Sequence, residues 1–138
     1  MNKTLLLKVK AAILAKPERF DMDNWCGTSH CIAGHAAVIA GWLKPNAAYE
    51  FLRRSWTPSA NAKADDCDPD VVASDGSHSA EPFARLLRLD EDQAERLFYS
   101  EEWPTPFAEA YKNATGPGAR AGIAADRIDH FIATDGRE

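Results

Sequence analysis

One stretch concentrates the side chains able to do chemistry. Cys26-Gly27-Thr28-Ser29-His30-Cys31-Ile32-Ala33-Gly34-His35-Ala36 holds two of the three cysteines and two of the four histidines. Three chemistries fit these residue types and spacings. The leading one is packing. Gly27 lets the chain turn, Thr28 or Ser29 caps a helix through its hydroxyl, and Cys31, Ala33, Gly34 and Ala36 pack as small residues. His35, one turn after Cys31, is then a hydrogen-bonded histidine of the core or its edge. The second chemistry is a metal centre. Cys31 and His35 lie four apart and share a helix face, and Cys26 reaches in from the preceding loop. Zinc accepts such sulfur and nitrogen ligands. His30 and Cys31 are neighbours and point about 100° apart on a helix, so both do not join one site. The fourth ligand has to be Cys67, His78, His130 or water. The third is nucleophilic catalysis. Cys26 stands just ahead of a helix N-terminus, where the positive end of the dipole favours thiolate, with His35, His78 or His130 as base.

The string Cys26-Gly27 with Cys31, leading into an apolar helix, resembles the nucleophile segment of bacteriocin-processing cysteine peptidases. Over about a dozen residues, that resemblance implies Cys26 as nucleophile. Those enzymes present their histidine from a β-rich half. His130-Phe131-Ile132-Ala133-Thr134-Asp135 offers a histidine in a comparable position, but its spacing fits a helix better. A broader resemblance runs to a group of small bacterial proteins without an established activity. It is carried by Pro17-Glu18-Arg19-Phe20-Asp21-Met22, by Cys26-Gly27-Thr28 with Cys31-Ile32-Ala33-Gly34-His35-Ala36, by Leu97-Phe98 and Trp103-Pro104, and by Arg127-Ile128-Asp129-His130-Phe131-Ile132. It implies a stand-alone bacterial domain and assigns no chemistry.

Other signals are weaker. Asp66-Cys67-Asp68-Pro69-Asp70 mimics the start of an EF-hand loop, but Val71 stands where that loop needs Gly and Ser77 where it needs Glu. Leu86-Leu87-Arg88-Leu89-Asp90-Glu91-Asp92-Gln93-Ala94 mimics a helix-turn-helix joint. A recognition helix opening on Glu91-Asp92 repels phosphates, so an acidic helical hairpin is the better reading. No Walker-type loop, His-Glu-x-x-His or Gly-x-Ser-x-Gly string occurs.

The elements that must position the motif read as helices throughout. The first runs from about Thr4 to Lys16 and stops at Pro17, with Leu6, Val9 and Ile13 on one face. A loop to Gly27 tucks Phe20, Met22 and Trp25 onto the core. The central buried helix runs from about Ser29 to Leu43. A short helix follows Asn46. From about 57 to 79 the pattern dissolves into a long acidic loop. Ser79 caps a helix with Phe83, Leu86 and Leu87, and Asp90 with Gln93 makes a capping box for Ala94, Leu97 and Phe98. Thr105 caps a helix with Pro106 in its first turn. The last helix carries Ala121, Ala124, Ile128, Phe131 and Ile132, with Gly136 as its C-terminal cap. Alternation of the strand type is nearly absent. The expectation is an all-α single domain over 1–138, with five to seven helices around the Ser29–Leu43 post.

Length and charge bound the function. The chain has 138 residues, 45% of them hydrophobic, which suits one domain. A formal net charge of −5 leaves no positive surplus for phosphates or anionic lipids, so nucleic acid and membrane are not expected partners. Lys8 and Lys10 interrupt the N-terminal apolar run, so it reads as an amphipathic helix and not a signal peptide. Three cysteines cannot all pair within one chain, and reduced thiols fit a cytoplasmic protein. The favoured function is a non-enzymatic binding or accessory protein, since no catalytic set is complete; a protein-partner role predicts an exposed apolar surface near Trp56 or Trp103, whereas burial is the default for either side chain. The alternatives are a cysteine hydrolase using Cys26 with His35 or His130, and a zinc protein using Cys26, Cys31 and His35.

Overall fold

The computed structural model describes residues 1–23, 31–41 and 81–138. Among the described residues all regular elements are helical: α1 (Lys3–Ala15), a 3₁₀ turn (Pro17–Arg19), α2 (Ile32–Ile39), α3 (Glu81–Leu87), α4 (Glu91–Phe98), a second 3₁₀ turn (Ser100–Glu102), α5 (Thr105–Asn113) and α6 (Pro117–Ala133). This is the all-α class that the hydrophobic periodicity predicts. The helix after Asn46, the 57–79 loop with its EF-hand-like string, Trp25, Trp56 and the Ser79 cap lie outside the described residues.

The Asn2 side chain accepts the Leu5 N–H at 3.1 Å and caps α1. Its own N–H reaches the Leu87 carbonyl at 2.6 Å, tying the start of α1 to the end of α3. Leu5, Leu6, Val9 and Ile13 turn inward at helical spacing. Each such burial is worth about 1.5–3 kcal/mol. Pro17 ends the helix, and the 3₁₀ turn swings Phe20 and Met22 into the core. The stripe predicted for α6 is also inward: Ala121, Ala124, Ile128 and Phe131 are buried, whereas Ile132 is only partly so. α1 packs along α6 on one side and against α2 on the other.

α2 is buried as expected, with every residue from Ile32 to Ala37 inside. It is shorter than the predicted span. It begins at Ile32, so the cap falls on Cys31 and not on Thr28 or Ser29. It ends at Ile39 because the chain turns at Gly41, whose φ of 79° favours glycine. Leu43 lies outside the described residues.

The α3–α4 joint is built from two local devices. Arg88 takes a φ of 53°. The Leu89 N–H returns to the Ala84 carbonyl at 2.8 Å and the Arg88 N–H to the Arg85 carbonyl at 3.0 Å. This is a Schellman stop with arginine in the left-handed position where glycine is usual. Asp90 and Gln93 then form the predicted capping box. Gln93 has a second task, donating from Nε2 to the Asp135 carbonyl at 2.9 Å. α6 ends in another Schellman stop. The Gly136 N–H reaches the Phe131 carbonyl at 2.8 Å, and Asp135, with φ 55°, takes the left-handed position expected of Gly136. Gly136 is held instead one place further on, where a Cβ would lie 2.8 Å from Gln93 Nε2. Thr105 is likewise the first residue of α5 rather than its cap, a place taken by Pro104.

α4 has no glycine stop, and its last carbonyls are closed by side chains from elsewhere. Tyr99 N–H meets Glu95 O at 3.2 Å. Arg127 Nη2 meets Arg96 O at 2.9 Å, and Trp103 Nε1 meets Leu97 O at 3.1 Å. Orphan carbonyls at a buried helix end need such partners.

Candidate functional site

The start of α2 carries the described half of the motif. Cys31 is 1% exposed, and its Sγ accepts the Gly34 N–H at 3.5 Å, so the thiol serves as the helix cap. His35 follows one turn later. Its Nδ1 lies 3.1 Å from the Cys31 carbonyl oxygen. A carbonyl can only accept, so this contact puts a ring proton on Nδ1. His35 is buried and packs its ring against Phe20, with centroids 6.1 Å apart. This matches the packing chemistry expected of Cys31 and His35.

The predicted catalytic and zinc sets are not assembled among the described residues. Cys26, the nucleophile of one set and a ligand of the other, lies outside them, as do His30, Cys67 and His78. His130 is placed elsewhere. It sits near the C-terminal end of α6, tilted against Phe107 at 5.3 Å, with Nε2 3.4 Å from the Glu138 carboxylate. Among the described residues no contact joins His130 to Cys31 or His35, and no group of three or more metal-ligating side chains occurs. The segment from His130 to Asp135 is helix and helix stop, as its spacing predicts.

From His35 an aromatic chain runs across the molecule. Phe20 meets Tyr111 edge-on at 6.3 Å, and Tyr111 meets Trp103 at 5.2 Å. Trp103 is 3% exposed with its indole N–H bonded, the burial expected by default of that side chain, so it forms no exposed partner surface. Its amphipathic ring is used inside, as a helix-end cap. The exposed large apolar side chains among the described residues are Leu7, Leu14 and Tyr99.

The chain of rings ends at a surface cleft of about 380 Å³. Tyr111 from α5 forms its floor, and its hydroxyl accepts the Met22 N–H at 3.0 Å. Burial is the main cause that raises the Tyr111 pKa, opposed by the Met22 bond and joined by the fields of Asp21 and Asp23. The Arg120 guanidinium from α6 lies over the Tyr111 ring at 5.4 Å. Lys112 supplies a second cation, and Asp23, Glu101 and Glu109 supply three carboxylates. Among the described residues neither Arg120 nor Lys112 has a carboxylate within ion-pair distance, and Arg120 Nε is a buried donor without a partner.

None of these cleft residues stands out in the sequence. They come from four separate segments, and each charged one alone reads as an ordinary surface charge. A second group was legible but passed over. Arg127 falls three after Ala124 and four before Phe131, inside the apolar stripe of α6. It is fully buried, over the Phe131 ring at 5.1 Å, and among the described residues its Nε and Nη1 have no hydrogen-bond acceptor. No helix among the described residues is long and apolar enough to cross a membrane. Compared with known proteins, the chain matches no family model, no curated protein and no solved structure.

Proposed function

We propose that this protein is a non-enzymatic binding protein, an accessory factor of the cytoplasm, and that the Tyr111 cleft is its recognition site. One observation carries the reading: among the described residues, both cations of the cleft stand outside ion-pair distance of every carboxylate, although three carboxylates line it. Here Arg120 is held over an aromatic ring instead, a pre-organised guanidinium of the kind that recognises anionic groups. The volume lies at the low end of ligand pockets, of order 300–1,000 Å³. The chemistry at hand is recognition: charges and a ring face, with Cys31 and His35 engaged in the interior.

The test is a ligand screen by two-dimensional NMR on the intact chain, against mixtures of small anions, cations and zwitterions. Saturable shifts at Lys112 and Arg120, with every compound recovered unchanged, are expected. No shift at the cleft with any mixture would refute it. Turnover of a compound that is lost in Cys26→Ser would establish the hydrolase instead. Stoichiometric zinc in protein purified without a metal-affinity tag would establish the metal protein.

A further inference from the structure

We infer that the Tyr111 cleft takes a small zwitterion, a molecule carrying one carboxylate and one ammonium group within the span of an amino acid or a short peptide. This rests on the cleft being the recognition site.

Three ligand charges are to be weighed against the lining. A pure anion gains from Arg120 and Lys112 but meets Asp23, Glu101 and Glu109. A pure cation gains from those carboxylates but meets both cations. Like charges brought into one hollow repel and act against the wrong ligand. A zwitterion places each end on its opposite and leaves neither set unpaired. Arg120 is the natural carboxylate anchor. Its planar fork presents paired donors, and the guanidinium lies over the Tyr111 ring. No carboxylate among the described residues occupies that fork, so a ligand displaces no existing ion pair there. Lys112, one position after Tyr111 on α5, also lines the cleft and adds a point charge. The ammonium end has Glu109 on α5, Glu101 on the preceding 3₁₀ turn, and Asp23 beyond the 3₁₀ turn after α1. Asp23 and Arg120 line the same cleft as Tyr111, so both signs border one hollow. A cleft of about 380 Å³ suits a ligand of a dozen or so heavy atoms.

The experiment compares three probes of nearly equal size on the full chain: alanyl-alanine, its N-acetyl derivative and its C-terminal amide. Binding is followed by NMR shifts of the cleft residues. The free dipeptide should bind at least tenfold tighter than either blocked form. Arg120→Gln and Lys112→Gln should each weaken it, Arg120→Gln by tenfold or more. Lys112 is exposed, so its variant keeps the test valid if the Arg120 change perturbs folding. Equal binding of all three probes, or preference for a blocked one, would overturn the zwitterion while leaving the cleft as a binding site. If none of the three binds, the zwitterion is likewise refuted. Whether the cleft itself stands is then decided separately by the mixed-ligand screen.

Discussion

Arg127 offers the sharpest test of the forces inside this fold. Its guanidinium is fully buried, faces no carboxylate among the described residues, and lies over Phe131 at 5.1 Å and Phe107 at 6.0 Å. Desolvation, helped by repulsion from Arg96, lowers its pKa to about 10. At about 1.4 kcal/mol per pH unit, holding that charge inside costs roughly 3 kcal/mol. Against this stand one charged hydrogen bond to Arg96 O, worth about 1.5–3 kcal/mol, and the ring contacts, worth about 2 kcal/mol when desolvated. Arg127→Met keeps most of the volume and drops the charge, at the cost of an unpaired Arg96 carbonyl, about 1–3 kcal/mol. Together these losses exceed the cost of the charge by about 1.5–5 kcal/mol, and the apolar burial of Met returns about 1.5–3 kcal/mol, so Arg127→Met should unfold within about 2 kcal/mol of the parent. Arg127→Ala removes the volume as well and should lose about 3–5 kcal/mol, as large-to-small core changes do. Urea unfolding measures both through the midpoint at unchanged slope. The sign with pH is fixed too. The folded form releases this proton at lower pH than the unfolded chain, so the Arg127 contribution grows as pH rises above about 10. The parent should then gain on Arg127→Met. If Arg127→Met is as damaging as Arg127→Ala at pH 7, the polar bond and not the filled volume holds α6 to α4, and the reasoning fails.

Other changes have clear directions. Arg88→Gly relieves a left-handed arginine at the α3 stop and should stabilise by about 0.5–1 kcal/mol, read as a raised urea midpoint. Trp103→Phe keeps a ring but leaves the Leu97 carbonyl without its partner, and should cost about 1–3 kcal/mol by thermal or urea unfolding. Tyr111→Phe strands the Met22 N–H, for about 1–2 kcal/mol. Because Tyr111 keeps its proton in the folded state at pH values where the unfolded chain has lost it, the parent loses stability above its ordinary pKa, and the gap to Tyr111→Phe should shrink there. With Cys26→Ser and Cys67→Ser combined, the remaining Cys31 thiol should react with a thiol reagent only as fast as the protein opens. A rapid full-amplitude reaction in the folded state would contradict its place as a buried helix cap.

Periodicity along the chain was enough for the helical class, the inward faces of α1 and α6, and the capping box at Asp90 and Gln93. These are local facts, set by spacing of 3.6 residues and by side chains reaching their own backbone. The motif's chemistry was less legible. Residue types at Cys31 and His35 serve equally for packing, ligation or base catalysis, and burial with a bond to the helix's own carbonyl favours packing. Helix ends were misplaced wherever tertiary contacts supplied the stop. Arg88 and Asp135 adopt left-handed turns that their types disfavour, because Gln93 and the α3–α4 joint hold them. α4 ends without glycine because Arg127 and Trp103, distant in sequence, close its carbonyls. The cleft was invisible for the same reason: Asp23, Glu101, Lys112 and Arg120 become neighbours only once four segments converge on Tyr111. The sequence by itself determined which faces avoid water, because that depends on periodicity along one strand of chain. Which charges face one another, and which side chain completes whose helix, depends on distances through space, and those only the packed structure decided.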